Sequence, residues 1–186
     1  MEIKNIAAIV IFTALAVVLN LSPLKFPAPY APFLIYQIWE IPIVIVFLLY
    51  KARVGVVVAL INTLALFIFF PGALITGPAY NLAAVLSMLL GMGIARSLLE
   101  GHFPKNEGVL AAAATGFGIG LRAFVMGLVN YAFLRFPSPV GYSLPDPVII
   151  AYIPLILMFN VTLALYTIPL GYTVARVLRT NLNVFN

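Results

Sequence analysis

The chain is a succession of long apolar runs, at residues 4–22, 37–50, 54–70, 77–98, 108–135 and 148–178. A helix needs about 20 apolar residues, range about 17–25, to cross a hydrocarbon layer roughly 30 Å thick. Most of these runs have that length. With 64% hydrophobic and 8% charged residues, against about 45–50% and about 25% in a soluble domain, the composition belongs in a bilayer. No hydrophilic segment is long enough to form a second unit, so residues 1–186 read as one domain. The fold class expected is all-α integral membrane, with six transmembrane helices in one bundle. The first run is kept as helix 1, because only Lys4 precedes it and no small-x-small cleavage site of a signal peptide follows. The second run is shorter and reaches only about 21 Å at about 1.5 Å per residue, which predicts a shallow or partly spanning helix.

The breaks between runs carry their own information. SPLKFPAPYAPF and FPSPVGYSLPDP each hold four prolines in twelve residues, and so many fixed φ angles and missing amide donors exclude regular helix. Lys51–Arg53, Pro71-Gly72 and the polar segment 99–107 supply the other breaks. On this plan Lys4, Lys51, Arg53, Arg96, Lys105, Arg176 and Arg179 share one side, and the other holds Lys25 and Arg135. Short cytoplasmic loops carry the excess of Lys and Arg, so both termini are expected to be cytoplasmic. The two proline-rich loops then share the outer face, where long loops often act as lids. Small residues recur every four positions at Ala83, Ser87, Gly91 and Ala95, and at Ala112, Gly116 and Gly120. Such spacing lets helices approach closely in lipid. Internal packing is the favoured reading for the second stripe, with docking onto another membrane subunit as the alternative.

Two charges lie inside apolar runs, Glu40 in IWEIPIVIVFLLY and Arg122 in GFGIGLRAFVMGLVNYAFL. An ionisable group at membrane depth costs about 2.5–3.5 kcal/mol on insertion scales and usually faces a protein interior or wet cavity. The pair therefore marks either a ligand site or a buried ion pair that fixes packing. Several other chemistries are excluded. Cysteine is absent, which removes disulfides and thiol catalysis. His102 lies in EGHFPKNEG with no second ligand at metal-site spacing, so it reads as a surface residue and no metal site is expected. The net charge of +5 is dispersed at helix ends, which argues for topology and against nucleic acid. There is no HExxH, GxSxG or nucleotide-binding glycine loop, so the chain is not expected to be an enzyme. Without a P-loop it needs a partner to move anything at the expense of ATP. No tandem repeat suggests an inverted-repeat transporter.

The outer halves of the helices collect polar and aromatic groups: Tyr36, Trp39, Glu40, Asn62, Thr76, Tyr80, Asn81, Arg122, Asn130, Tyr131 and Asn160. Aromatic faces among polar groups suit a flat small molecule with polar edges; membrane-interface belt positions are the competing reading for the tryptophan and tyrosines.

Four stretches resemble the substrate-binding S component of energy-coupling-factor (ECF) vitamin transporters, most of all the riboflavin-specific branch. They are SPLKFPAPYAPFL followed by EIP; TGPAYNLAAVLSMLLG; Arg122-x-x-x-Met126-x-x-x-Asn130-Tyr131; and Phe159-Asn160. The likeness covers nearly the whole chain. It departs at Asn81, where the branch often has glutamate, at Ala84, where it has asparagine, and at Leu163, where it has lysine. It implies a vitamin, riboflavin or a related flavin, as bound substrate rather than an intrinsic cofactor. It also implies a transmembrane coupling subunit and two cytoplasmic ATPase subunits as partners, in the plasma membrane. The substrate contacts it implies are Tyr36, Trp39, Glu40, Thr76, Tyr80, Asn81, Arg122, Asn130, Tyr131 and Asn160. Ala7 and Ala14 on helix 1 take the partner-docking role, although the family's alanines stand four apart and these are seven apart. The alternatives are a membrane scaffold or assembly subunit, or an S component for a different vitamin.

Overall fold

A computed structural model describes residues 2–69, 74–99 and 107–181. Helices α1 (Ile3–Leu21), α3 (Ala52–Phe69), α4 (Gly77–Leu99), α5 (Glu107–Phe133) and α6 (Asp146–Asn181) are long and apolar enough to cross a membrane. The sixth, α2 (Glu40–Leu49), is not: its ten residues rise only about 15 Å. Its shortness is tolerated because it lies inside the bundle. Pro42 to Leu48 are all buried, so the helix meets protein rather than lipid along most of its length. The end of helix 3 at Pro71-Gly72 and the polar segment carrying His102 and Lys105 lie outside the described residues.

Packing follows a ring in which α1 lies on α3, α3 on α4, α4 on α5, α5 on α6, and α6 on α2, while α2 also touches α1 and α3. The exterior is apolar. Ile3, Leu64, Ile68 and Phe124 are between 63% and 85% exposed, a surface suited to acyl chains and not to water. The α4 stripe turns inward: a Cβ on Gly91 would run into the Phe117 carbonyl of α5, so glycine sets that close approach. The opposing α5 glycine is Gly118. The Ala112, Gly116 and Gly120 stripe instead faces outward, with open space beyond both glycines.

The first proline-rich segment is not helical, as expected, but it is ordered as a hairpin. Strand β1 (Phe26–Ala28) pairs antiparallel with β2 (Ala31–Tyr36), with Phe26 opposite Tyr36 and an irregularity at Pro27/Ala28. In a two-stranded ribbon every strand is an edge, where proline's missing donor costs no ladder bond. The second proline-rich segment folds back over the end of α5, with the amides of Tyr142 and Leu144 both donating to the Leu134 carbonyl at 3.2 Å. Ser143 takes a positive φ of 54° at this bend. Helix α6 continues through Pro154 and Pro169 for 36 residues, about 54 Å, and so reaches beyond one hydrocarbon layer.

Candidate functional site: a cavity under the hairpin

A cavity of about 470 Å³ opens where α2 and α4 begin and α5 ends. That is within the range of about 300–1,000 Å³ usual for small-molecule sites. Each wall has a helical rhythm. Helix α5 contributes Arg122, Met126 and Asn130 at four-residue steps, followed by Leu134 just past its end; α4 contributes Gly77, Tyr80, Asn81 and Ala84; α6 contributes Phe159, Asn160 and Leu163. Trp39 and Glu40 enter from the start of α2, and Phe33, Leu34, Ile35 and Gln37 from the hairpin above them.

Its polar floor is a three-residue network. Arg122 lies about 16 Å below Phe133 at 1.5 Å per residue and is 2% exposed. Its guanidinium grips the Glu40 carboxylate with both terminal nitrogens, Nη1 to Oε2 and Nη2 to Oε1, the latter at 2.9 Å. Nε donates to Asn160 Oδ1 at 3.0 Å, and Nη1 also approaches Met88 Sδ at 3.6 Å. The Asn160 amide in turn donates to the Ile156 carbonyl at 2.9 Å. Glu40 occupies the first turn of α2, where the helix dipole favours a carboxylate. Two opposite charges thus enter the bundle as a bidentate pair, the geometry that makes such a pair tolerable in a low dielectric.

The roof is tied down by hydroxyls. Tyr36 Oη shares hydrogen bonds with Tyr30 Oη at 2.6 Å and Thr162 Oγ1 at 2.7 Å, joining the hairpin to α6. Tyr166 Oη of α6 donates to the Gln37 carbonyl at 2.5 Å. On the other side Tyr80 Oη donates to the Val140 carbonyl at 2.8 Å, and Thr76 Oγ1 to Pro139 at 2.5 Å. These fasten the second loop to the start of α4. Burial raises the Tyr142 phenol above its ordinary range. Burial, then the Tyr36 hydroxyl, pushes Tyr30 up to about 12. Both stay protonated near neutral pH.

Of the ten substrate contacts implied by the resemblance, Trp39, Glu40, Tyr80, Asn81, Arg122, Asn130 and Asn160 line this cavity together. Three do not. Tyr36 packs its ring on Phe159 at 4.8 Å between centroids and belongs to the roof tie. Thr76 holds the second loop. Tyr131 points outward at 46% exposure, with the Arg135 guanidinium 5.0 Å from its ring centroid. Asn62 is fully buried on α3, away from the lining, and its amide has no hydrogen-bond partner among the described residues. Ala7 and Ala14 lie on the exposed face of α1 with Val10, Ile11 and Val18.

Other lining residues were missed. Lys25, Phe33 and Tyr142 sit in segments read only as loop, and no periodicity marks a loop residue as inward, while Gln37 falls at the start of the 37–50 run read as helix 2 and lies ahead of α2, which begins at Glu40. Gln37 Oε1 is buried without a partner among the described residues. Phe159 was legible, being the neighbour of Asn160. All three departures from the riboflavin-branch pattern, Asn81, Ala84 and Leu163, line the cavity.

No family model matches the sequence, and no curated protein matches it. The structure does have a counterpart, described as "Structure and mechanism of the S component of a bacterial ECF transporter". It superposes with a TM-score of 0.65 over 98% of this chain and 96% of that one, at 19% identity. At that identity the likeness is one of architecture: the chain has the fold of an ECF-transporter S component.

Proposed function

We propose that this protein is the substrate-binding subunit of an ECF-type ABC importer in the plasma membrane, and that it captures a vitamin, riboflavin or a related flavin. The observation that carries the reading is the roofed cavity, in which aromatic faces (Phe33, Trp39, Tyr80, Tyr142, Phe159) alternate with amides (Gln37, Asn81, Asn130, Asn160). A planar heterocycle with polar edges would stack on the former and hydrogen-bond the latter. Gln37 Oε1, unpartnered among the described residues, is an acceptor that a ligand N–H could satisfy. On this reading all six helices lie within the membrane, the short α2 enclosed by the others, and both termini face the cytoplasm, as the distribution of Lys and Arg favours. A transmembrane coupling subunit and two ATPase subunits would supply the energy, and the exposed α1 face bearing Ala7 and Ala14 is the docking surface proposed for the former. Transport would proceed by toppling of the loaded subunit in the membrane, with release inward.

Trp39 is the sole tryptophan and lines the cavity, so its emission reports occupancy directly. Titrating riboflavin into detergent-purified protein should quench it saturably. Absence of saturable quenching, in protein carrying no yellow ligand already, would refute flavin binding. A second reading has its own support: Ala84 and Leu163 make part of the wall apolar, which suits a vitamin with a less polar tail than ribityl. The same titration with a panel of vitamins separates the two.

A further inference from the structure

The far end of the bundle holds a second cavity of about 770 Å³, a groove between α5 and α6 whose two halves differ in chemistry. Along α5 it is floored by Ala112, Gly116 and Ile119, facing Pro169 and Tyr172 of α6. A side chain is missing there: a Cβ on Gly116 would meet nothing within 4 Å, and Gly108 also lines the groove. The same outer surface carries Phe117 and Phe124, 46% and 63% exposed, as a lipid-facing surface would.

The terminal half is cationic. Arg96 from the last turn of α4 lines this end with Arg176 and Arg179 from the last turns of α6, and the latter two flank one carboxylate, Glu107. Arg176 Nε lies 3.5 Å and Arg179 Nη1 3.8 Å from Glu107. Arg179 Nη2 also donates to the Leu48 carbonyl at 3.3 Å, which anchors it to the end of α2. Among the described residues Arg176 and Arg179 share the single Glu107 carboxylate, which leaves this end of the groove positive, directly beside an apolar channel.

We propose that this groove seats one anionic phospholipid, its phosphate at Arg176 and Arg179 and an acyl chain laid over Ala112 and Gly116. Basic pockets between transmembrane helices at the cytoplasmic boundary suit anionic head groups, and the bare glycines leave room for a chain that a soluble anion would not use. A second copy of this chain is disfavoured as occupant, since a two-fold contact sets the same patch against itself and would oppose the arginine clusters.

The test uses purified full-length protein in neutral detergent. Dioleoyl phosphatidylglycerol or dioleoyl phosphatidylcholine is titrated in, with bound lipid counted by native mass spectrometry and the melting temperature followed. One phosphatidylglycerol should be retained and should raise the melting temperature. Arg176→Gln with Arg179→Gln should weaken that binding about thirtyfold, and Gly116→Leu should block it by filling the channel. Equal retention of phosphatidylcholine, or unchanged phosphatidylglycerol binding in the arginine variant, would overturn the proposal. So would displacement of the lipid by inorganic phosphate alone, which would assign the cluster to a soluble anion. Both arginines are exposed, so the arginine variant decides the matter even if Gly116→Leu folds poorly.

Discussion

Arg122 and Glu40, separated by 82 positions in the chain, meet through both nitrogens of the guanidinium fork and both carboxylate oxygens, with each side chain 3% exposed. Two groups that would each be costly alone in an apolar bundle thereby fix α5 against the start of α2. They also set the floor of the candidate site.

Removing one partner should therefore damage the protein more than removing both. Stranding a buried charge costs about 3–5 kcal/mol, whereas replacing the pair is often mild. Arg122→Ala is expected to unfold at a lower temperature than Glu40→Ala plus Arg122→Ala. Thermal melts of the two single variants and the double variant check this, and simple additivity would mean that the two residues act separately.

Trp39→Ala should weaken flavin binding at least several-fold while the fold persists, since stacked aromatic pairs contribute about 0.5–1.5 kcal/mol beyond area burial. Tyr131→Ala, at an outward-facing position, should leave affinity unchanged. Titration calorimetry on both variants makes the comparison. Equal losses would move the site away from the cavity.

Asn130 commits its amide to the Met126 carbonyl of its own helix at 2.7 Å, so it holds no two helices together. Its replacement by alanine should lower ligand affinity by about five- to 150-fold, the equivalent of about 1–3 kcal/mol for an unpaired polar ligand atom. The ligand-free melting temperature should change little. Melting with and without ligand distinguishes this from a packing role, in which both values would fall together.

Tyr80→Phe keeps the ring in the cavity wall and deletes only the hydrogen bond to the Val140 carbonyl. A neutral hydrogen bond is worth about 0.5–1.5 kcal/mol, so the loop over the cavity should open more readily and ligand dissociation should quicken about two- to tenfold. Stopped-flow displacement measures the rate directly. An unchanged rate would show that this loop does not gate the cavity.

What the sequence determined by itself is what depends on local runs of residues. The apolar stretches predicted helices at 77–98 and 108–135, and the structure has Gly77–Leu99 and Glu107–Phe133. Proline clustering excluded helix from residues 22–33, and the two lone charges pointed to the floor of the cavity. Tertiary packing decided matters in which identical local patterns have different fates. The four-residue stripes of α4 and α5 look alike in sequence, yet Gly91 is buried against Phe117 while Gly116 faces open space. Asn130 and Tyr131 are neighbours, but one helical step turns a side chain by about 100°, so only the former reaches the cavity. The hairpin's role as a roof came from hydroxyl contacts between Tyr36 and Thr162, 126 positions apart. The enclosure of α2 likewise rests on surfaces that its ten residues do not encode: lipid and protein interior are both apolar, so hydropathy cannot tell a helix facing one from a helix buried in the other.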